Sequence, residues 1–118
     1  MRVAPTFAVL SGDDASACDV VLAGARGVIS VTANVAPRAM AAMIAAAATG
    51  DGAGARALDA RIAPLHENLF LETNPIPAKW ALARMGLIGP GLRLPLTELA
   101  EPFRAQLERA LRQSGALQ

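Results

Sequence analysis

The chain has 118 residues, 53% of them hydrophobic, with 11 basic residues against 10 acidic ones. That length and apolar content predict one domain with a real core and exclude disorder. A formal charge of +1 gives no basis for a nucleic-acid or anionic-membrane partner, and the single cysteine, Cys18, excludes an intrachain disulfide and a cysteine-built zinc site.

Thr6-Phe7-Ala8-Val9-Leu10 is a short continuous apolar run between Pro5 and Gly12, which predicts a strand covered on both faces. Asp13 or Asp14 then caps a helix over Ala15 to Ala25, whose apolar face carries Ala17, Cys18, Val21, Leu22 and Ala25. Gly27 to Thr32 is rich in β-branched residues and predicts a second strand, parallel to the first across a right-handed crossover. Asn34 is the expected cap of a helix running to about Thr49, with Pro37 in its first turn. A helix from Gly52 to Phe70 contains Pro64, which should kink or split it. Asn74-Pro75 opens a helix to Met85, Leu87 to Leu96 is a loop broken by glycine and proline, and a last helix covers Glu101 to about Ser114. No signal-type run opens the chain, and the most apolar later stretch, Met40 to Ala48, is too short to cross a bilayer. The expectation is therefore a cytoplasmic protein with no membrane contact.

Strand, helix and strand make one unit of a parallel sheet, and such units carry chemistry at the carboxyl ends of their strands. Here those ends are Gly12-Asp13-Asp14 and Thr32-Ala33-Asn34. Two strands alone are a poor sheet, and open edges invite pairing. A larger parallel-sheet domain is the simplest explanation.

Candidate side chains have modest readings. Asp13 and Asp14 are either pocket carboxylates or helix caps, roles that are compatible. Ser30, Thr32 and Asn34 alternate along the second strand and so share one side, where they line a pocket or satisfy local backbone. His66 is the only histidine and has no partners at ligand spacing, so no metal site is expected. Cys18 reads as a buried structural thiol. Lys79 is the only lysine; mid-helix beside Trp80, it reads as solvated or ion-paired rather than as a nucleophile.

Leu10-Ser11-Gly12-Asp13-Asp14, Gly27 to Asn34, Pro64-Leu65-His66, Asn74 to Leu82, Met85-Gly86-Leu87 and Leu92 to Leu96 follow one another in an order that resembles the C-terminal part of the dihydrodipicolinate synthase family. The resemblance spans about Phe7 to Gly115. It implies an α/β fold: the last two strand-helix units of a (β/α)8 TIM barrel over residues 1–50, then a C-terminal helical subdomain over residues 51–118. It further implies a homotetrameric lyase of the pyruvate-dependent class I aldolase superfamily. Pyruvate, held as a Schiff base on a lysine, would condense with aspartate semialdehyde on the way to lysine, without a further cofactor or metal. In the family that lysine, the catalytic tyrosines and the carboxylate-binding arginine precede the matched segment. Lys79 matches a lysine of the helical subdomain, so no catalytic residue carries over. Ile29 matches the position whose backbone carbonyl faces pyruvate and the Schiff-base lysine. Gly12, Asp13 and Asp14 match the loop at the pocket mouth, expected to meet the second substrate. The chain is thus expected to be about the last two-fifths of such an enzyme and inactive alone. The alternative is a non-catalytic remnant acting as a regulatory or assembly partner of a full-length homologue. Sialate-type and sugar-acid lyases share the superfamily, but the Asn74-to-Leu82 and Leu92-to-Leu96 segments favour the dipicolinate branch.

Overall fold

A computed structural model describes residues 4–118; residues 1–3 of the expected barrel segment lie outside them. The element order is β1 (Leu10–Ser11), α1 (Ala17–Leu22), β2 (Gly27–Val28), α2 (Thr32–Val35), α3 (Pro37–Ala48), α4 (Gly52–Asn68), α5 (Ile76–Arg84) and α6 (Glu101–Gln113). The two strands are parallel, with Leu10 opposite Gly27 and Ser11 opposite Val28. Their pairing is prolonged at each end by Arg26 N–H to the Val9 carbonyl at 2.8 Å and Ile29 N–H to the Ser11 carbonyl at 2.9 Å. The strand-helix-strand unit expected from the sequence is present.

Its strands are shorter than expected. Thr6 to Ala8 lie outside the ladder, because a ladder needs a partner and β2 offers only two paired residues. The expectation of two covered faces also fails in this chain: Phe7 is 62%, Leu10 51% and Ile29 73% exposed. The second strand ends at Val28, and Thr32 to Val35 turns into helix. Ser30, Thr32 and Asn34 consequently do not alternate along a strand. Asn34 is no cap; it lies inside α2, and Ala36 caps α3 with Pro37 in its first turn.

Two apolar cores hold the helices. In the first, Ala17, Cys18 and Val21 of α1 meet Met40, Met43 and Ala47 of α3 and Ala55 and Ile62 of α4. In the second, Leu65 and Leu69 meet Ile76, Ala78 and Ala81 of α5, Leu99, and Leu107, Ala110 and Leu111 of α6. The spacings along α3 and α6 are those of one helical face. α4 belongs to both cores, and Pro64 sits between its two contributions without splitting it. Pro64 removes the donor to the Ala60 carbonyl, but Ala60 is exposed and water can replace that bond. The Asn68 side-chain amide donates to the Pro64 carbonyl at 2.7 Å and secures the last turn. Asp51 caps α4 by accepting from Gly54 N–H at 2.9 Å. Gly50 and Gly86 end α3 and α5 with φ of 81° and 76°, a conformation that costs glycine little. The N–H of Ala100, the N-cap of α6, donates to the Glu72 carboxylate at 3.0 Å.

Candidate functional site at the carboxyl ends of the two strands

β1 and β2 deliver Ser11-Gly12-Asp13-Asp14 and Ile29-Ser30-Val31 to the same end of the sheet. The two adjacent aspartates then part company. Asp13 is exposed, and its Oδ2 accepts from Ser16 N–H at 3.0 Å and from Ser16 Oγ–H at 2.6 Å. These bonds stabilise the carboxylate and hold its pKa below the ordinary value. The Ser11 hydroxyl closes the turn beneath, donating to the Asp13 carbonyl at 3.0 Å.

Asp14 is 4% exposed and points the other way. It does not cap α1, whose N-cap is Ser16. Its Oδ2 accepts from Val31 N–H and Thr32 N–H, both at 3.1 Å, and its Oδ1 accepts from Ser30 Oγ–H. Ser30 Oγ in turn accepts from Ala33 N–H at 2.9 Å. Asp14 thus caps α2 across the sheet end, from 18 residues away in sequence. This contact explains why Thr32 leaves the strand: the carboxylate takes the first donors of a helix.

Behind that cap lies a second polar group. Thr32 is fully buried, and its Oγ1 stands 2.9 Å from His66 Nδ1; His66 Nε2 stands 3.2 Å from Asp59 Oδ1. A carboxylate only accepts, so Nε2–H faces Asp59, and in the neutral ring Nδ1 accepts from the Thr32 hydroxyl. His66 is a buried histidine with both ring nitrogens partnered inside the fold. Asp59 escaped the sequence reading. Its spacing of seven from His66, two helical turns on one face, was the available signal.

Ile29 stands at the rim with its side chain exposed and its N–H bound to Ser11; Gly12, also exposed, continues the same rim. Cys18 is 3% exposed, and burial pushes its thiol pKa up. Lys79 lies half-buried on α5 and joins no ion pair among the described residues. Among the described residues, no cluster of three His, Cys, Asp or Glu could hold a metal, and no helix is long and apolar enough to cross a membrane.

Residues 1–114 match the model of the dihydrodipicolinate synthetase family. The chain belongs to that family. It is 57% identical over 116 residues to the 4-hydroxy-tetrahydrodipicolinate synthase of Pseudomonas aeruginosa, covering 98% of this chain and 40% of that protein. The synthase of Stutzerimonas stutzeri is 56% identical with the same coverages. Among solved structures, the dihydrodipicolinate synthase of Acinetobacter baumannii complexed with pyruvate superposes with a TM-score of 0.92 at 53% identity, covering 94% of this chain and 38% of that one. The Aquifex aeolicus enzyme gives a TM-score of 0.92 at 40% identity, over 98% and 39%. The chain therefore spans about 40% of the length of the curated relatives it matches. Its fold is a partial TIM barrel with a helical tail, as the family resemblance implied.

Proposed function

We propose that this chain is the C-terminal portion of a 4-hydroxy-tetrahydrodipicolinate synthase-like lyase. Its residues 1–50 supply the last two strand-helix units of the barrel and residues 51–118 the helical subdomain. The observation that carries this reading is identity of 56–57% across 98% of the chain to synthases of that name. The bare rim at Leu10 and Ile29 supports it, because strands at the end of a closed barrel have neighbours on both sides.

In the completed enzyme, a lysine outside this sequence forms a Schiff base with pyruvate: the amine adds to the ketone and water leaves. Loss of a methyl proton gives an enamine, whose carbon attacks the aldehyde of aspartate semialdehyde. This chain supplies the Ile29 carbonyl facing pyruvate, and Gly12 and Asp13 at the mouth, where the aldehyde partner enters. Asp14, with both oxygens occupied from within the fold, shapes the same loop from behind. Catalysis by the chain alone is not expected, since its lysine, Lys79, sits on α5 of the tail and on neither strand. The assembled enzyme is expected to be oligomeric.

Borohydride trapping with pyruvate tests this. The 118-residue chain should gain no adduct, whereas the chain joined to the upstream part of the Pseudomonas aeruginosa relative should gain one pyruvyl group on an upstream lysine. An adduct on Lys79 overturns the assignment. A joined protein that folds but traps nothing favours a non-catalytic partner of a complete homologue.

A further inference from the structure

Thr32, His66 and Asp59 have the order of groups that activates a hydroxyl nucleophile in hydrolases. Thr32 is 0% exposed, however, so no substrate reaches its oxygen. The arrangement must act through what it holds. On one side it grips α4, through His66 and Asp59; on the other it grips the first residue of α2, whose N–H and hydroxyl are both engaged. Asp14 binds that same residue and the two before it. Ile29 immediately precedes this clamped stretch and is anchored to Ser11 by its own N–H.

We propose that Asp14, Thr32, His66 and Asp59 form a positioning relay that fixes the Ile29–Val31 turn from the helical tail. The inference rests on the proposed function for the role of Ile29, but the relay itself is geometry. Two anchors, the β1 backbone before the turn and the Asp14–Thr32–His66 contacts after it, leave the Ile29 peptide little freedom to rotate. Its carbonyl direction is thereby set by a residue of α4, 37 positions downstream in the sequence. Buried hydroxyl and imidazole groups do this well, because any rotation of Thr32 strands a polar atom without water. Thr32, His66 and Asp59 are positioning residues and touch no substrate.

The test uses the chain joined to the upstream part of the Pseudomonas aeruginosa relative. Thr32→Val keeps the shape and removes the hydroxyl. It should lower kcat by about tenfold at temperatures well below unfolding, with the pyruvate KM nearly unchanged, since small misplacements cost turnover. Thr32→Ser restores the hydroxyl and should recover that turnover. A Thr32→Val enzyme with kcat within about twofold of its parent overturns the relay. If Thr32→Val fails to fold, Asp59→Ala, at the partly exposed end, takes its place by removing the acceptor for His66 Nε2–H: a drop of severalfold in kcat is expected, and unchanged kcat overturns the proposal. If the unsubstituted joined protein is inactive, the proposed function fails separately. The relay is then read in the 118-residue chain, where Thr32→Val should shift the Ile29 and Ser30 amide resonances and Thr32→Ser should not. Unmoved resonances overturn it.

Discussion

The core shared by α4, α5 and α6 buries Leu65, Leu69, Leu99, Leu107 and Leu111 completely, whereas the core of α1, α3 and α4 abuts a two-stranded sheet whose Leu10, with Phe7 and Ile29 just outside the ladder, is mostly in solvent. Both cores are built by the same rule, one apolar face per helix. They differ in what faces them. A helix satisfies its own backbone and needs only apolar neighbours, so the leucines at the centre of the tail are enclosed by its own helices even though Phe70, Leu87, Ile88 and Leu94 around it stay exposed. A strand needs partners for its backbone as well, and two strands cannot supply them. The adjacent aspartates repeat the contrast on a small scale: Asp13 serves the solvent-facing rim, and Asp14 is drawn inward to cap α2.

Leu107→Ala should break this contrast most severely. Truncating a fully buried leucine costs about 2–5 kcal/mol, read as a lower urea midpoint. Ile29→Ala, at the exposed rim, should move the midpoint of the isolated chain by no more than about 0.5 kcal/mol. Equal losses from the two would mean that the rim is as enclosed as the tail. Asp14→Ala should come next, at about 2–3 kcal/mol, because three donors lose one acceptor. Asp13→Ala, at the exposed turn, should cost clearly less in the same assay. The chain also carries one internal probe in each core, Cys18 in the first and Trp80 against the second. Thiol labelling of Cys18 should begin at urea concentrations that leave Trp80 fluorescence at its native value. Coincident transitions would show a single cooperative unit.

The smallest expected effect concerns the tail surface. Hydrogen bonds from Arg84 and Arg112 hold the Glu108 pKa below its ordinary value of 4.5. A carboxylate depressed in the folded state contributes its stability above the unfolded value and loses it as pH falls through the folded one. Melting temperature should therefore decline modestly on acidification below about pH 4.5, modestly because Arg84 and Arg112 are nearly half exposed. Glu108→Gln should remove this share of the decline, and Asp13, lowered by Ser16, should retain its own share with the same sign. A Glu108→Gln chain with an unaltered acid profile would show that the ion pairs add nothing.

Helix positions were legible because the signals are local: Pro37 at the start of α3, Gly50 and Gly86 at helix ends, and the Leu107–Leu111 face of α6. The strands are shorter than the apolar runs imply. The apolar run Thr6 to Leu10 reflects burial in a larger sheet, and burial does not specify which residues pair within this chain. The pattern of β-branched neighbours continues through Thr32 and predicts strand there. The carboxylate that ends the pattern lies 18 residues upstream, outside any local window. Asp13 and Asp14 both read as candidates, but nothing in two identical neighbours says which one turns inward.

The helical periodicity, the stops between helices, the parallel strand-helix-strand unit and, through ordered motifs, the family are all written in the residues alone. These follow from side-chain spacing and backbone allowances a few residues apart. Three features emerge only on folding: Asp14 caps α2, α4 joins two cores across Pro64, and Thr32, His66 and Asp59 meet. The joining of the two cores rests on apolar packing, and the other two on desolvated polar groups finding partners far along the chain. The identity of such a partner is fixed by packing, because a buried donor must be answered by whichever acceptor the fold brings within reach.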